Sequence, residues 1–171
     1  SYRIPLMANQ VKTLFGEIPQ TLSEFSAASQ ISQAEAMKFF LERFRGAKWE
    51  RTGIIWWNLL DGWPQFSDAV VDYYGGEKLA FHVLARCQQP TLLMLGEADA
   101  DGRHPVIFVN DGGADVHAGC TVTDADTGET VFSATADAKR NSAASVIGSI
   151  EAPGAARCLL LSWRVDGTEY R

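Results

Sequence analysis

The chain has 171 residues, enough for one domain of ordinary size or for two small ones. Hydrophobic residues make up 46% and charged residues 21%, so the composition provides a hydrophobic core and excludes an intrinsically disordered chain. The formal net charge of −6 argues against a nucleic-acid partner or an anionic membrane partner, because both are polyanions. No stretch reaches the ~18 uninterrupted apolar residues of a membrane span, and no basic-then-apolar leader follows Ser1. We therefore expect a soluble globular protein without a signal peptide in these residues, and we assign no compartment.

A long helix is predicted in the first half of the chain. Thr21 and Glu24 are spaced as in a capping box at a helix N-terminus, and Gly46 is the kind of residue that ends a helix. Between them, apolar side chains recur every three or four residues, namely Ile31, Ala34, Met37, Leu41 and Phe44. This spacing predicts one amphipathic helix from about residue 21 to residue 45.

A short apolar run, residues 53–60, follows this helix. The run is apolar on both faces and too short for a helix of its own, which is typical of a strand buried on both sides in a parallel sheet. The sequence DGWP at 61–64 ends it as a loop, and residues 77–87 predict a second helix. Helix, buried strand, loop and helix form a piece of α/β architecture, which we assign to residues 1–89.

The remaining residues, 90–171, predict an all-β domain. Short alternating runs are separated by turn signals such as Asp101-Gly102, Thr127-Gly128, Pro153-Gly154 and Asp166-Gly167. The predicted strands are 91–98, 105–110, 116–124, 129–136, 144–150 and 156–165. Strands of this length and spacing predict an antiparallel β-sandwich of immunoglobulin type, so the expected fold class is α+β.

Two stretches of the first half resemble the end of the catalytic barrel of glycoside hydrolase family 2, most closely its β-mannosidase-like branch. One is SQISQAEA at 29–36, and the other is GIIWWNLLDGWP at 53–64, followed by Val71-Asp72-Tyr73 and Lys78. In that family a similar glycine-led stretch is the last strand of a (β/α)8 barrel and its exit loop. The next helix leads into a C-terminal β-sandwich, where Val109-Asn110-Asp111 also matches the family pattern. The resemblance therefore implies the end of a barrel followed by a sandwich.

The resemblance places candidate substrate-binding residues at the end of the apolar run. Active sites of such barrels lie at the C-terminal ends of the strands, which selects Trp57, Asn58 and Asp61. A Trp offers a flat apolar face and one N–H donor to a sugar, and only one of Trp56 and Trp57 can face the site because side chains alternate along a strand. We favour Trp57 in the sugar pocket, with Trp56 and Trp63 in core packing. For Asp61 a hydrogen bond to substrate and a loop or cap role are equally supported, and core packing of all three Trp is the alternative for the whole group.

The two carboxylates that cleave a glycosidic bond are not expected in this chain. The family retains anomeric configuration, which requires two carboxyl groups about 5–5.5 Å apart, and its catalytic Glu residues follow the fourth and seventh barrel strands. Both positions would precede Ser1. The tripeptide Ser23-Glu24-Phe25 is similar to the sequence around the family nucleophile, but Glu24 is explained by the capping box and follows no buried strand. We therefore expect no catalytic residue here, with Glu24 as a weak candidate.

No cofactor or metal is expected either. The three cysteines, Cys87, Cys120 and Cys158, are far apart and form no metal-binding or disulfide framework. The stretch from Asp124 to Glu129 is similar to a calcium loop, but glycine stands one position early and Thr135 occupies the position of the bidentate ligand. A hairpin turn explains this stretch better.

Two functions follow from these observations. The first is the C-terminal part of a retaining exo-glycosidase, of β-mannosidase or β-galactosidase type, that hydrolyses terminal β-linked sugars in a longer polypeptide. The chain alone would be inactive, and its partners would be the carbohydrate substrate and the remaining barrel and N-terminal domains. The second is a non-catalytic module whose sandwich binds carbohydrate or packs against other domains. In either case the apolar residues 53–60 need a cover, from flanking helices, from missing parts of the parent or from a second copy of the chain.

Overall fold

The computed structural model describes residues 3–151 and 157–171. They form two compact units, the first comprising the chain up to Leu41 together with Gly53–Cys87, the second comprising Glu42–Thr52 and Gln88–Arg171. Within the described residues, no helix has the length and apolar character that crossing a membrane requires. The fold combines helices with antiparallel sheets, as expected at that level.

The helices are α1 (Arg3–Phe15), α2 (Leu22–Gly46) and α3 (Leu79–Cys87). The predicted start of α2 is confirmed, because the amide of Glu24 donates to the Thr21 hydroxyl at 3.3 Å. That hydroxyl in turn donates to the Glu24 carboxylate at 2.7 Å, so Glu24 serves the cap. Helix α1 was not predicted, although Ile4, Met7, Val11 and Leu14 recur at helical spacing; among the described residues of this helix, Val11 is the one that is buried.

The core of the first unit joins α2 and α3. Its buried members are Ala34, Leu41, Val70, Ala80, Leu84 and Cys87. The predicted stripe of α2 is therefore confirmed at Ala34 and Leu41, and Met37 packs beside them. Ile31 belongs to the same stripe but is exposed.

Residues 53–60 differ from the prediction of a strand buried on both sides. They form no regular strand, and Ile55, Leu59 and Leu60 are exposed. Leu60 makes an isolated parallel bridge with Val71, which also bridges Glu77. A strand buried on both faces needs neighbouring strands along its edges, and the described part of the chain supplies only this short bridge.

Over the described residues, the second unit contains seven strands in two antiparallel sheets. The first sheet has the order β1 (Thr91–Leu95), β2 (Arg103–Asn110) and β5 (Ser145–Glu151). The second has the order β4 (Thr130–Ala138), β3 (Val116–Asp124), β6 (Leu159–Val165) and β7 (Thr168–Tyr170). Each of the six predicted strands overlaps an observed one. The predicted start of the sixth at residue 156 and the Pro153-Gly154 turn lie outside the described residues.

The two sheets share one hydrophobic core. Phe108 and Val106 from the first sheet and Val122 and Trp163 from the second are among its buried members. The indole N–H of Trp163 donates to the Thr91 hydroxyl at 2.9 Å, which ties the second sheet to the first and satisfies the buried indole. The Trp163 ring also stacks on Tyr170, with ring centroids 5.4 Å apart.

The predicted hairpin after Asp124 is confirmed. One carboxylate oxygen of Asp124 accepts the amides of Asp126 and Thr127 at 2.9 and 3.0 Å. Gly128 then adopts φ +74°, a conformation that glycine takes without steric cost. These bonds close the connection between β3 and β4 as an ordinary Asx turn.

The segment Glu42–Thr52 belongs to the second unit through specific contacts. A side chain at Gly46 would place its first carbon 3.3 Å from the methyl group of Met94, so glycine permits close approach to β1. Asp111 accepts an ion pair from Arg45 at 2.8 Å and another from Lys48, and Lys48 also donates to the Asn141 side chain at 2.8 Å. The end of α2 is thereby held by the loop that follows β2.

Candidate functional site

The predicted site lies where the apolar run 53–60 ends. Burial alternates along this run: Ile54 and Trp56 pack against the core of the first unit, whereas Ile55 is 97% and Trp57 76% exposed. The alternation is that of an extended chain with one face on the helices and one face away from them. Trp56 therefore has the packing role predicted for it, and Trp57 presents its ring on the opposite face. We call Ile55, Trp57 and Leu59 the outer row.

Asn58 is held by the neighbouring loop. The peptide bond that precedes it is cis. Its backbone carbonyl accepts the amide of Val70 at 3.1 Å, and the carbonyl of Leu59 accepts that of Val71 at 2.9 Å. The side-chain amide of Asn58 donates to the Leu60 carbonyl at 3.0 Å. The half-buried Asn58 side chain thus forms its hydrogen bond within residues 58–60.

Asp61 lies in a small buried polar cluster. Its side chain is 2% exposed and makes an ion pair with Lys78 at 3.5 Å, while the side chain of Gln65 donates to its other oxygen at 3.0 Å. Lys78 also donates to the Ser67 hydroxyl at 3.4 Å. Of the two roles left open for Asp61, these contacts match that of a loop residue.

The cluster keeps Asp61 ionised. Burial is the largest influence on the Asp61 carboxyl and by itself raises the pKa. Hydrogen bonds from Ser67 and Gln65, together with the ammonium charge of Lys78, outweigh burial, so the pKa lies below its usual value. Lys78 belongs to the sequence pattern quoted above, whereas Gln65 and Ser67 do not. Nothing in their spacing reports that the loop folds back on Asp61.

The loop between Asp61 and Lys78 is also attached to the helices of its unit. The side chain of Gln33 on α2 donates to the backbone carbonyl of Asp68 at 2.6 Å. The side-chain oxygen of Gln30, also on α2, accepts the amide of Leu79 at 3.0 Å, which satisfies one of the free N–H groups at the start of α3. These bonds fix the loop near its middle, at Asp68, and at its C-terminal end.

Several aromatic side chains of this region point to solvent. Trp63 is 63% exposed, so the interpretation that it packs in a core is wrong for the described chain. Phe66, Tyr73 and Tyr74 are exposed as well. Together with the outer row they give this part of the first unit a large apolar surface, of the kind that marks an interaction site.

The side chains that the structure describes form no cluster of metal ligands. Among residues 3–151 and 157–171, no group of three or more His, Cys, Asp and Glu side chains could hold a metal ion. Glu24, the weak candidate for a nucleophile, is an exposed helix-capping residue. Cys120 is buried, and burial raises the pKa of its thiol to about 11, which leaves it protonated and unreactive.

The fold of this chain is similar to parts of larger glycosidase structures. It matches a β-D-mannosidase from Dictyoglomus thermophilum with a TM-score of 0.79 and 18% identity, covering 96% of this chain and 21% of that chain. It also matches the exo-chitosanase CsxA of Amycolatopsis orientalis with a TM-score of 0.70 and 17% identity, covering 95% of this chain and 20% of that one. At these identities the likeness concerns the fold alone.

Sequence comparison finds relatives of this chain that are named β-mannosidases. β-Mannosidase B of Aspergillus flavus is 36% identical over 72 residues, which is 40% of this chain and 8% of the relative. β-Mannosidase B of Aspergillus terreus matches to the same extent. No family model matches the chain. The resemblance to the β-mannosidase-like branch of glycoside hydrolase family 2 is thus confirmed, and the chain spans a small part of the length of the proteins it resembles.

Proposed function

We propose that this chain is the C-terminal part of a retaining exo-glycosidase of β-mannosidase type. In this proposal residues 1–89 are the last strand of a (β/α)8 barrel with its flanking helices, and residues 90–171 are an immunoglobulin-like β-sandwich. The order of the two sheets, β1-β2-β5 and β4-β3-β6-β7, is compatible with such a sandwich. The longer polypeptide hydrolyses terminal β-linked sugars.

The observation that carries this proposal is the alternation along residues 54–57. In a barrel each strand turns one face toward the surrounding helices and the other toward the barrel interior. Ile54 and Trp56 pack on the core formed by α2 and α3, so Ile55 and Trp57 would face the interior. Trp57 is nearer the C-terminal end of the strand, where barrel enzymes bind substrate.

Trp57 is the substrate-binding residue that the geometry supports best. Its exposed indole offers an apolar face to the C–H groups of a pyranose and a single N–H donor to a hydroxyl. Asn58 is proposed as a second contact at the same strand end. The two catalytic carboxylates belong to other parts of the longer polypeptide, whose barrel strands cover the outer row.

The alternative of a sugar-binding sandwich finds less support. Phe108 and Trp163 are buried, and Phe132 and Tyr170 are half-buried. These are the aromatic residues of 90–171. None of them offers the exposed flat face that a lectin-like site needs.

The proposal is tested on the protein translated from the complete reading frame that contains these residues. We expect it to hydrolyse an aryl β-D-mannoside, and we expect the 171-residue chain alone to be inactive. Trp57→Ala should lower kcat/KM by roughly 10- to 100-fold, since losing a large aromatic contact costs about 1.5–3 kcal/mol. Trp49→Ala, which removes another exposed Trp, is the matched control and should change kcat/KM less than about twofold.

Two results would overturn the proposal. One is a complete protein that cleaves neither aryl β-mannosides nor aryl β-galactosides. The other is hydrolysis by the 171-residue chain itself, since the proposal puts both carboxylates elsewhere. Calorimetry of this chain with mannose separates the sandwich alternative, which requires measurable heat.

A further inference from the structure

We infer that Asp61 and Lys78 are a positioning pair, which fixes the segment 57–63 and acts on a sugar through Trp57 without touching it. The inference rests on the proposed function for the identity of the ligand. It changes the role expected of Asp61, from a hydrogen-bonding partner of the substrate to a residue that orients one.

The first argument is that the Asp61 carboxylate is already engaged. Both of its oxygens have partners within the first unit, Gln65 on one and Lys78 on the other. The Lys78 side chain is itself 19% exposed, so the pair is shielded from water and from a ligand. A sugar hydroxyl would have to displace one of these bonds in a buried setting, where an unpaired polar group costs about 1–3 kcal/mol.

The second argument is that the pair joins two chain segments at one place. The amide of Asp61 donates to the carbonyl of Val71 at 3.2 Å, and the amide of Lys78 donates to the carbonyl of Val70 at 2.9 Å. Backbone and side chains therefore converge on residues 70–71, which also bind the carbonyls of Asn58 and Leu59. The stretch that follows Trp57 is thereby linked to the ion pair through Val70 and Val71.

The third argument concerns what a buried ion pair contributes. Replacing such a pair by apolar residues of similar size is often neutral or stabilising, whereas removing one partner leaves an uncompensated charge. A purely structural pair would therefore be replaceable by an apolar pair without consequence. A positioning pair would not, because its directional bonds set where the segment 57–63 lies.

The experiment labels the 171-residue chain with 5-fluorotryptophan and records its ¹⁹F spectrum, with resonances assigned by single Trp→Phe variants. In Lys78→Gln we expect the Trp57 and Trp63 resonances to move, while the resonance of Trp163, buried in the second unit, stays in place. Lys78→Arg keeps the cation and should restore the wild-type positions. Asp68→Asn, in the same loop but exposed and paired with Arg3, is the matched control and should leave Trp57 unmoved.

The double variant Asp61→Leu, Lys78→Met distinguishes positioning from packing. We expect it to fold with a Tm near that of the wild type and still to show displaced Trp57 and Trp63 resonances. Unmoved Trp57 and Trp63 resonances in Lys78→Gln, or in a folded double variant, would overturn the inference. If the double variant fails to fold, the comparison of Lys78→Gln with Lys78→Arg decides the matter alone. The readout needs no sugar, so failure of the proposed glycosidase activity and failure of the positioning pair are separate results.

Discussion

Asn110 shows how one side chain can organise a loop. It is fully buried, and its amide nitrogen donates to the backbone carbonyls of Ala114, Ala138 and Lys139 at 2.8–3.2 Å. Its oxygen accepts the amide of Gly112 at 2.9 Å. These bonds connect the loop after β2 with the end of β4. Asp111, which binds Arg45 and Lys48, follows Asn110 directly in the chain.

Asn110→Ala should therefore destabilise the second unit. The buried Ala138 carbonyl and the part-buried carbonyls of Ala114 and Lys139 would lose this donor, and a buried group left unsatisfied costs about 1–3 kcal/mol. We expect a loss of at least about 2 kcal/mol in the free energy of unfolding, measured by urea denaturation. Asn9→Ala, a change at an exposed Asn of α1, is the control and should stay within about 0.5 kcal/mol. Equal stability of Asn110→Ala and the wild type would contradict this account.

The lowered pKa of Asp61 predicts that the free energy of unfolding depends on pH. Burial, which raises its pKa, is outweighed by its hydrogen bonds and by Lys78, so the pKa is lower in the folded protein than in the unfolded chain. A group of this kind stabilises the fold above its unfolded pKa, about 3.9. The contribution is lost as the pH falls through the folded pKa.

The Tm of the wild type should consequently fall more steeply below about pH 4 than that of Asp61→Asn. The difference between the two should be constant from about pH 5 to pH 7, where Asp61 is ionised. Differential scanning calorimetry across this range checks both statements. Asp68→Asn provides the comparison for an exposed carboxylate, and parallel curves for wild type and Asp61→Asn would refute the assignment.

At the scale of elements, local patterns were sufficient where partners are close in sequence. The apolar spacing of α2, its Thr21 cap and the turn signals between strands depend on neighbouring residues, and these predictions are confirmed where the chain is described, which leaves out the Pro153-Gly154 turn. The run 53–60 could not be predicted in the same way. Its burial depends on neighbours that the described residues do not supply. The cluster around Asp61 was missed because Lys78 meets it only after the loop has closed.

The β5 strand contains a position where only glycine fits. Gly148 faces Phe132 of β4, and an added first side-chain carbon would lie 2.5 Å from the Phe132 ring. The neighbouring pairing of β2 with β5 shifts register between Val106 and Ile107, which is the mark of a bulge. The bulge and the missing side chain together let the Phe132 ring enter the space between the sheets.

Gly148→Ala should cost about 1–3 kcal/mol, the usual penalty for overpacking a core. The loss should shrink in the double variant Gly148→Ala, Phe132→Leu, because the smaller side chain makes room. A thermodynamic cycle of the four proteins by urea unfolding measures this coupling. Gly119→Ala, where nothing lies within 4 Å of the added carbon, is the control. Additive effects of the two changes would contradict the proposed contact.

At the scale of the whole molecule, the outer row is the feature that separates this chain from a self-sufficient domain. Ile55, Trp57 and Leu59 are exposed, and so are Trp63 and Phe66 further along the same stretch of chain. Exposed apolar surface of this kind promotes association. In the proposed longer protein it would be covered by other barrel strands.

Ile55→Lys should thus reduce self-association of the 171-residue chain. We expect the wild type to form concentration-dependent oligomers in light scattering after size exclusion, and the variant to shift toward the monomer. Leu22→Lys, at an exposed apolar residue at the start of α2, should leave the distribution unchanged. A wild-type chain that stays monomeric at high concentration would contradict the assignment of this surface.

The contacts of Arg45 and Lys48 with Asp111 bear on how such a polypeptide can be rearranged in evolution. Residues 88–171 do not include all contacts of the second unit. Asp111 forms ion pairs with Arg45 and Lys48, which lie in Glu42–Thr52, before Gly53–Cys87 of the first unit. A gene fusion that moved only residues 88–171 to another protein would carry Asp111 without those two cations. A transfer that preserved these contacts would have to include Glu42–Thr52, and a cut at Glu42 would separate Gly53–Cys87 from the rest of the first unit, so exchange between relatives is expected to keep both units together.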